Sequence, residues 1–347
     1  MPATALYAHL INSGGRAGEY CGAATAANFG DVAAEFQALR SGCGIADAGW
    51  RARFVITGAD RVRWLNGMVT NNIRDLQPGA GVYCFVLNAQ GRIQGDLYCW
   101  NRGDYLLAAT DAAQAVHLYE LLERFIVMDD VQLSDVSAQL TSVAVMGPAA
   151  AEVLGRAGMN PADLAPLQFR DRSWNGIDVT LAQLDGVGVP EYEIWVAAED
   201  CALLWDALIA AGARAVGAEA YELMRIQSGR PRIGADIRER DLPQETGQQR
   251  ALNFAKGCYL GQEIVERIRS RGQVHRRLTG FVVQGARPQP GMKLKSGERE
   301  VAEITSVADF PDGTVLGLGY TRMDAVQPGA VLEVNGTRAR VCELPFD

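Results

Sequence analysis

Lys256-Gly257-Cys258-Tyr259-Leu260-Gly261-Gln262-Glu263 is the most unusual stretch of this sequence. Two glycines frame a cysteine, and the residues from Gln262 to Arg271 read as a helix. A thiol just before a helix N-terminus faces oriented backbone N–H groups and the positive end of the helix dipole. Lys256 adds a cation two residues away. These effects all favour the thiolate, which makes Cys258 a candidate reactive group tuned by Lys256. Gln262 and the glycines would shape the loop. The plain alternative is a small buried cysteine in a turn, and on residue types alone both readings stay open.

The surroundings are electrically unusual. Between Arg250 and Arg277 stand Arg250, Lys256, Arg267, Arg269, Arg271, Arg276 and Arg277, opposed only by Glu263 and Glu266. That is a local charge of +5 in a chain of −8. Such an island can focus a polycarboxylate, a phosphate or an RNA backbone; the ordinary alternative is a solvated helix face. A second run holds Arg225, Arg230, Arg232, Arg238 and Arg240 among Asp236, Glu239 and Asp241. It reads as a loop with mixed pairing.

Beyond the octapeptide the pattern turns to short β runs. They are punctuated by Pro290-Gly291, Ser296-Gly297, Pro311-Asp312-Gly313, Pro328-Gly329 and Asn335-Gly336. The last pair lies between Val331–Val334 and Thr337–Val341, which predicts a type I′ hairpin. Turn signals this dense indicate a small all-β barrel or sandwich, with a boundary near 272–277.

Upstream the chain reads as mixed α and β. Asp31 caps a helix running to about Arg40, and Phe54–Thr57 is a strand leading through Gly58-Ala59-Asp60 into a short helix. Gly81–Asn88, Arg92–Trp100 and Tyr105–Thr110 form an antiparallel meander, and Asp111 is expected to cap the next helix. A second round holds strands at Ser142–Met146 and Glu193–Val196, with helices at Ala149–Ala157, Glu199–Ala211 and from Ala218 to about Ser228.

The 347 residues suggest two or three domains, and 48% apolar with 21% charged residues exclude a largely disordered chain. No apolar run approaches a membrane span, and the first fifteen residues carry no Lys or Arg, so no signal-peptide n-region is read. The acidic balance argues against a general nucleic-acid binder. Seven cysteines without a C-x-x-C pair point to reduced thiols in the cytoplasm rather than to zinc or disulfides. Three histidines, His9, His117 and His275, exclude a His-rich metal site, and no metal ligand set is read. No dinucleotide fingerprint surrounds Gly14-Gly15-Arg16 or Gly186-Val187-Gly188.

Asp96 sits within an apolar strand and by alternation shares a face with Tyr98. A carboxylate there needs a partner or a ligand, such as the N–H groups of a heterocycle, unless the strand face is solvated. Glu191, Tyr192 and Glu193 follow a Gly188-Val189-Pro190 turn and admit the same two readings. His275 lies seventeen residues after Cys258, and nothing fixes a Cys–His geometry.

With these residues in view, the sequence resembles the folate-binding superfamily of the glycine-cleavage T protein, and within it the YgfZ branch linked to iron–sulfur enzymes. The resemblance runs along nearly the whole chain. It includes 35–40, Gly58-Ala59-Asp60, Asn88-Ala89-Gln90-Gly91-Arg92, Arg225 with Gly229, Pro243 with Glu245, and Leu344-Pro345-Phe346. The octapeptide at 256–263 looks like the branch signature. The resemblance implies an α+β fold: a three-lobed ring with two α+β lobes in 1–273 and a small β barrel in 274–347. It also implies bound tetrahydrofolate, with Tyr83, Asp96, Glu193 and Arg225 near the pocket. Gly95 and Val189 stand where T proteins carry an aspartate and a glutamate, a departure from the aminomethyl-transfer pattern.

The expected function is a tetrahydrofolate-binding accessory protein for assembly or repair of 4Fe–4S enzymes, with Cys258, Lys256 and Gln262 as the reactive constellation. Its partners would be folate and iron–sulfur enzymes or assembly proteins, without a membrane and without direct nucleic-acid binding. The alternative is an enzyme, a tetrahydrofolate-dependent aminomethyl- or methyltransferase in which Asp96 orients the folate. A further alternative is a factor supporting tRNA modification.

Overall fold

A computed structural model describes residues 1–186, 188–272 and 274–346. Val187 of the Gly186–Gly188 turn and Gln273 of the expected boundary lie outside the described residues. The fold is mixed α and β and ends in a closed six-stranded barrel, as the sequence indicates. The chain divides into two compact units, one made of Met1–Cys84 with Leu97–Tyr221, the other of Phe85–Asp96 with Glu222–Asp347.

The first unit is built on a six-stranded sheet. Its order is Phe169–Trp174, Ile177–Gln183, Glu191–Ala197, Leu140–Met146, Gly44–Asp47 and Arg214–Val216. Leu140–Met146 is the central reason for the sheet: β-branched and apolar, it is buried on both faces between antiparallel neighbours. The helix Cys201–Ala210 lays Leu204, Trp205 and Leu208 on Ile45, Val143 and Val145 of the sheet core. Gly44–Asp47 escapes sequence reading because it is four residues long, begins with Gly and ends in a charge. The Asp47 carboxylate is nonetheless buried. It accepts hydrogen bonds from Thr4 Oγ1 (2.5 Å), Thr25 Oγ1 (2.6 Å) and the Gly49 N–H (2.8 Å). Asp31 caps the helix Val32–Ser41, accepting from the Ala34 N–H at 3.0 Å. The hairpin Arg16–Tyr20 and Ala23–Asn28 carries too many small residues to show strand periodicity.

The expected meander is present. Gly81–Leu87, Ile93–Asn101 and Leu106–Asp111 lie in order in a five-stranded sheet completed by Arg51–Thr57 and Gln132–Asp135. One expectation fails: Asp111 makes no side-chain cap to the helix Ala112–Arg124. Its carboxylate lies 3.4 Å from Arg51 Nη1, a half-buried cation that needs counter-charge more than an exposed helix end needs a cap.

In the second unit the barrel order is Arg276–Gly285, Val315–Arg322, Arg299–Asp309, Lys293–Ser296, Val331–Val334 and Thr337–Cys342. Phe281, Leu294, Ile304, Leu332 and Val341 fill it. Asn335 and Gly336 have φ of 49° and 80°, the double left-handed turn that a type I′ hairpin requires.

The run of mixed charge from Arg225 to Asp241 ties the segment before the barrel to its strands by three ionic knots. Asp236, fully buried, accepts from Arg225, Thr305, Ser306 and the Arg232 N–H. Arg276 donates to Asp241 and Glu245. Glu303 receives Arg238, Arg240 and Lys293. Among the described residues no helix is long and apolar enough to cross a membrane, and no group of three or more His, Cys, Asp or Glu could hold a metal ion.

Burial works to raise the Glu303 carboxyl, but hydrogen bonds from Lys293 and Arg238 outweigh it and hold its pKa below the ordinary 4.5. Its stabilisation is therefore present above pH 4.5 and lost as pH falls through the lowered folded value. Glu303→Gln should cost about 1–3 kcal/mol in urea melts at pH 7. The gap to wild type should close as the melts are repeated toward pH 3. A deficit independent of pH would show that the charge is not what matters.

Candidate functional site

The octapeptide lies wholly in the second unit, and its glycines explain its course. Gly261 takes φ +82°, and a Cβ there would sit 2.5 Å from the Asn88 carbonyl oxygen and 3.1 Å from Gly91 Cα. Gly91 takes φ +69°, and a Cβ on it would meet Ile264 Cβ at 2.8 Å. The loop and the Asn88–Gly91 turn thus touch backbone to backbone, with no room for a side chain at either contact. Asn88 holds that turn by accepting from the N–H groups of Gln90 and Arg92, both at 3.0 Å. The turn is anchored further by the Ile93 N–H, which donates to the Asp241 carbonyl at 3.1 Å.

Helix Gln262–Arg271 starts immediately after Gly261. Gln262 closes the loop on itself: its Oε1 accepts from the Tyr259 N–H, and its own N–H donates to the Tyr259 carbonyl, both at 3.2 Å. Tyr259 is buried, and burial followed by the Glu266 charge pushes its hydroxyl up to about 12. Lys256 is buried with its ammonium 4.9 Å from the centre of the Tyr259 ring. Between these buried residues Cys258 is exposed, three positions before Gly261. It differs in this from Cys43 and Cys201, whose buried thiols are pushed up to about 12 and about 11. None of the seven cysteines forms a disulfide among the described residues. His275 is exposed, and its backbone carbonyl accepts from the Met323 N–H.

The first unit carries a second constellation, which sequence reading only half found. Glu193 lies buried on Glu191–Ala197 and accepts from Arg51 Nε at 2.6 Å, Arg53 Nη2 at 3.3 Å and Trp195 Nε1 at 3.1 Å. Burial lowers Arg51, but Glu193 and then Asp111 outweigh it and hold the guanidinium well above its ordinary value. Arg53 is completely buried; burial, only partly opposed by Glu193, brings it down to about 10. Its Nη2 also donates to Ser142 Oγ at 2.7 Å, while its Nε has no hydrogen-bond partner. An aromatic chain runs from this cluster to Tyr83. Trp195 meets Trp100 at 5.1 Å, Trp100 stacks on Tyr98 at 6.0 Å, and Tyr98 meets Tyr83 at 5.1 Å. Tyr98 donates to Asp185 at 3.0 Å and lies under Arg51, 5.6 Å from ring centre to guanidinium.

Tyr83 and Glu193 thus belong to one network in the first unit, and Asp96 and Arg225 belong to the second unit. Asp96 is half-buried on Ile93–Asn101. Arg225 differs from expectation in how its donors are used. All five guanidinium N–H groups are engaged within its unit, by Glu222 twice, Asp236, the Arg230 carbonyl and Ser306. It acts there by holding the segment before the barrel. Arg51 and Arg53 were the missed pair. Their signal was present as alternating arginines in Arg51–Thr57, but a strand begun at Phe54 leaves them outside.

Residues 6–256 match the GCVT N-terminal domain family, and the chain belongs to that family. It is 28% identical to an aminomethyltransferase of Geobacillus kaustophilus over 99% of this chain and 98% of that protein. It is also 28% identical to an aminomethyltransferase of Thermus thermophilus, over 100% and 99%. A chloroplastic putative transferase of Arabidopsis thaliana is 24% identical over 89% of this chain and 72% of that protein. The fold matches the crystal structure of glycine cleavage system aminomethyltransferase T from Bartonella henselae, with a TM-score of 0.88, 20% identity and coverage of 99% and 98%. The chain therefore has the T-protein fold.

Glu193→Ala leaves the completely buried Arg53 without its carboxylate and the half-buried Arg51 with Asp111 alone. It should destabilise by ~3–5 kcal/mol, because the Arg53 charge left behind stays desolvated. Thermal melts of purified wild type and variant measure this, and an unchanged Tm would show that the cluster is solvated in solution.

Proposed function

We propose that this chain is a tetrahydrofolate-binding accessory protein of the YgfZ type that serves assembly or repair of 4Fe–4S enzymes in the cytoplasm. The observation that carries the reading is the exposed Cys258 on a loop fixed by buried neighbours and by glycine contacts that exclude side chains. A cysteine kept only for packing would be buried. A reactive thiol needs access and a held position. Lys256 and Gln262 support it from either side, Lys256 through Tyr259 and Gln262 by closing the loop.

Folate binding is supported by the family and by the chemistry of the donor set. A pterin needs aromatic surface and acceptors for its N–H edge. Tyr83 and its aromatic neighbours offer the first. Glu193, which still has acceptor capacity beside its three donors, offers the second in the same unit. Asp96 is a further acceptor candidate that rests on the resemblance. Tetrahydrofolate, when bound, supplies nitrogens that carry a one-carbon unit. Arg225 contributes by positioning the segment after Tyr221 rather than by touching the ligand.

A second reading, a tetrahydrofolate-dependent aminomethyl- or methyltransferase, is favoured by full-length relatives named aminomethyltransferase. Gly95 and Val189, at the positions of the T-protein acidic residues, weigh against it. Turnover with an amine or methyl donor would favour it.

The test is a deletion strain of the source organism, restored separately with wild-type and Cys258→Ser genes and assayed for aconitase-type activity. Deletion should lower that activity and wild type alone should restore it, with the Cys258→Ser chain still folded. Full rescue by Cys258→Ser would contradict the proposal.

A further inference from the structure

A groove of about 380 Å³ on the second unit lies between the segment from Pro243 to Phe254 and the C-terminal end of helix Gln262–Arg271. Its walls are mainly apolar, formed by Leu252, Phe254, Ile268 and Val274, with Gln244 and Arg269 among the polar groups. Its size falls within the roughly 300–1,000 Å³ of small-ligand pockets. That is room for one large apolar side chain with its flanking peptide groups. Gln244 is fixed in the groove wall by donating through Nε2 to the Val265 carbonyl at 2.9 Å. One feature points to an occupant. Phe254 is 38% exposed, a large aromatic that a free surface does not favour.

The rim sets the charge of the partner. Arg269 lines the groove, and Arg250 and Arg267, two residues from the lining positions Leu252 and Arg269, are also exposed. Glu263 and Glu266 pair with Arg267 and Arg269 at 3.1 Å and 3.5 Å, and such exposed pairs are weak and readily exchanged. We propose that this groove docks an acidic peptide segment of a client protein, one apolar side chain entering the groove and its carboxylates meeting the arginine rim. RNA fits less well. The Phe254 ring already has Arg269 on one face at 4.6 Å, the groove is apolar, and the chain as a whole carries −8.

The inference rests on the accessory reading for the partner's being a protein. Docking would bring the client beside the loop that carries Cys258, which follows Phe254 by four residues.

The test is fluorescence anisotropy with the full chain and a labelled acidic peptide holding one central leucine. Controls are the same peptide with serine for leucine and a single-stranded RNA of matching charge. Wild type should bind the leucine peptide saturably, and Phe254→Ala and Arg269→Glu, both at exposed positions, should each weaken it roughly tenfold. Circular dichroism confirms that both variants fold. Absence of saturable binding, equal binding of the serine peptide or tighter binding of the RNA would overturn the proposal. Cys258→Ser should bind the peptide as wild type does. If peptide binding fails while Cys258→Ser still loses aconitase-type rescue, docking alone is refuted. If binding holds while Cys258→Ser rescues, the accessory reading fails and the groove stands.

Discussion

The site around Cys258 depends on a contact between two glycines. Gly261 and Gly91 let the octapeptide loop and the Asn88–Gly91 turn approach until backbone atoms touch, and any Cβ at either position would overlap its neighbour. Each also takes a positive φ, which only glycine adopts without strain. This one contact decides where helix Gln262–Arg271 begins and which way the preceding loop faces. Tyr259 and Lys256 can then be buried while Cys258, between them, is left in solvent. The turn is itself fixed through Asn88 and through the Ile93 N–H to Asp241, whose carboxylate holds Arg276 at the start of the barrel. The exposed thiol is thereby tied to the buried ionic knots of its own unit.

The two units carry different chemistry. The second presents an exposed thiol, an arginine-rich helix and an apolar groove, all suited to a macromolecular partner. The first buries its chemistry. Its cations are held by Glu193, and its aromatic rings form a continuous path from Trp195 to Tyr83. Desolvation makes that arrangement rigid, because a buried guanidinium tolerates no loss of its carboxylate. Rigid, preformed polar groups beside aromatic surface are what a planar heterocycle requires.

Much of the fold was legible because local signals agreed with tertiary demands. Asp31 had an exposed helix end to cap and caps it. Asn335-Gly336 could adopt the double left-handed turn and does. Turn spacing indicated a small barrel or sandwich, and the chain forms the barrel. Reading failed where tertiary needs overrode local ones. Asp111 had the chemistry of a cap, but the half-buried Arg51 claims it. The structural role of Arg225 was hidden in the same way, because Glu222, Asp236 and Ser306 engage its guanidinium. The mixed charges from 225 to 241 say nothing until the barrel strands that pair with them are in place. In the site, the octapeptide was visible because its glycines and cysteine are rare in combination. The Arg51–Glu193–Arg53 cluster was not: the alternating arginines fell outside a strand begun at Phe54, and nothing local ties them to Glu193, some 140 residues on.

Equilibrium binding of tetrahydrofolate to the purified full-length chain tests the account most directly. Anaerobic titration calorimetry should show saturable one-to-one binding, weakened at least about tenfold by Asp96→Asn and unaffected by Cys258→Ser. No saturable heat with wild type, or equal affinity in the Asp96→Asn chain, would contradict it.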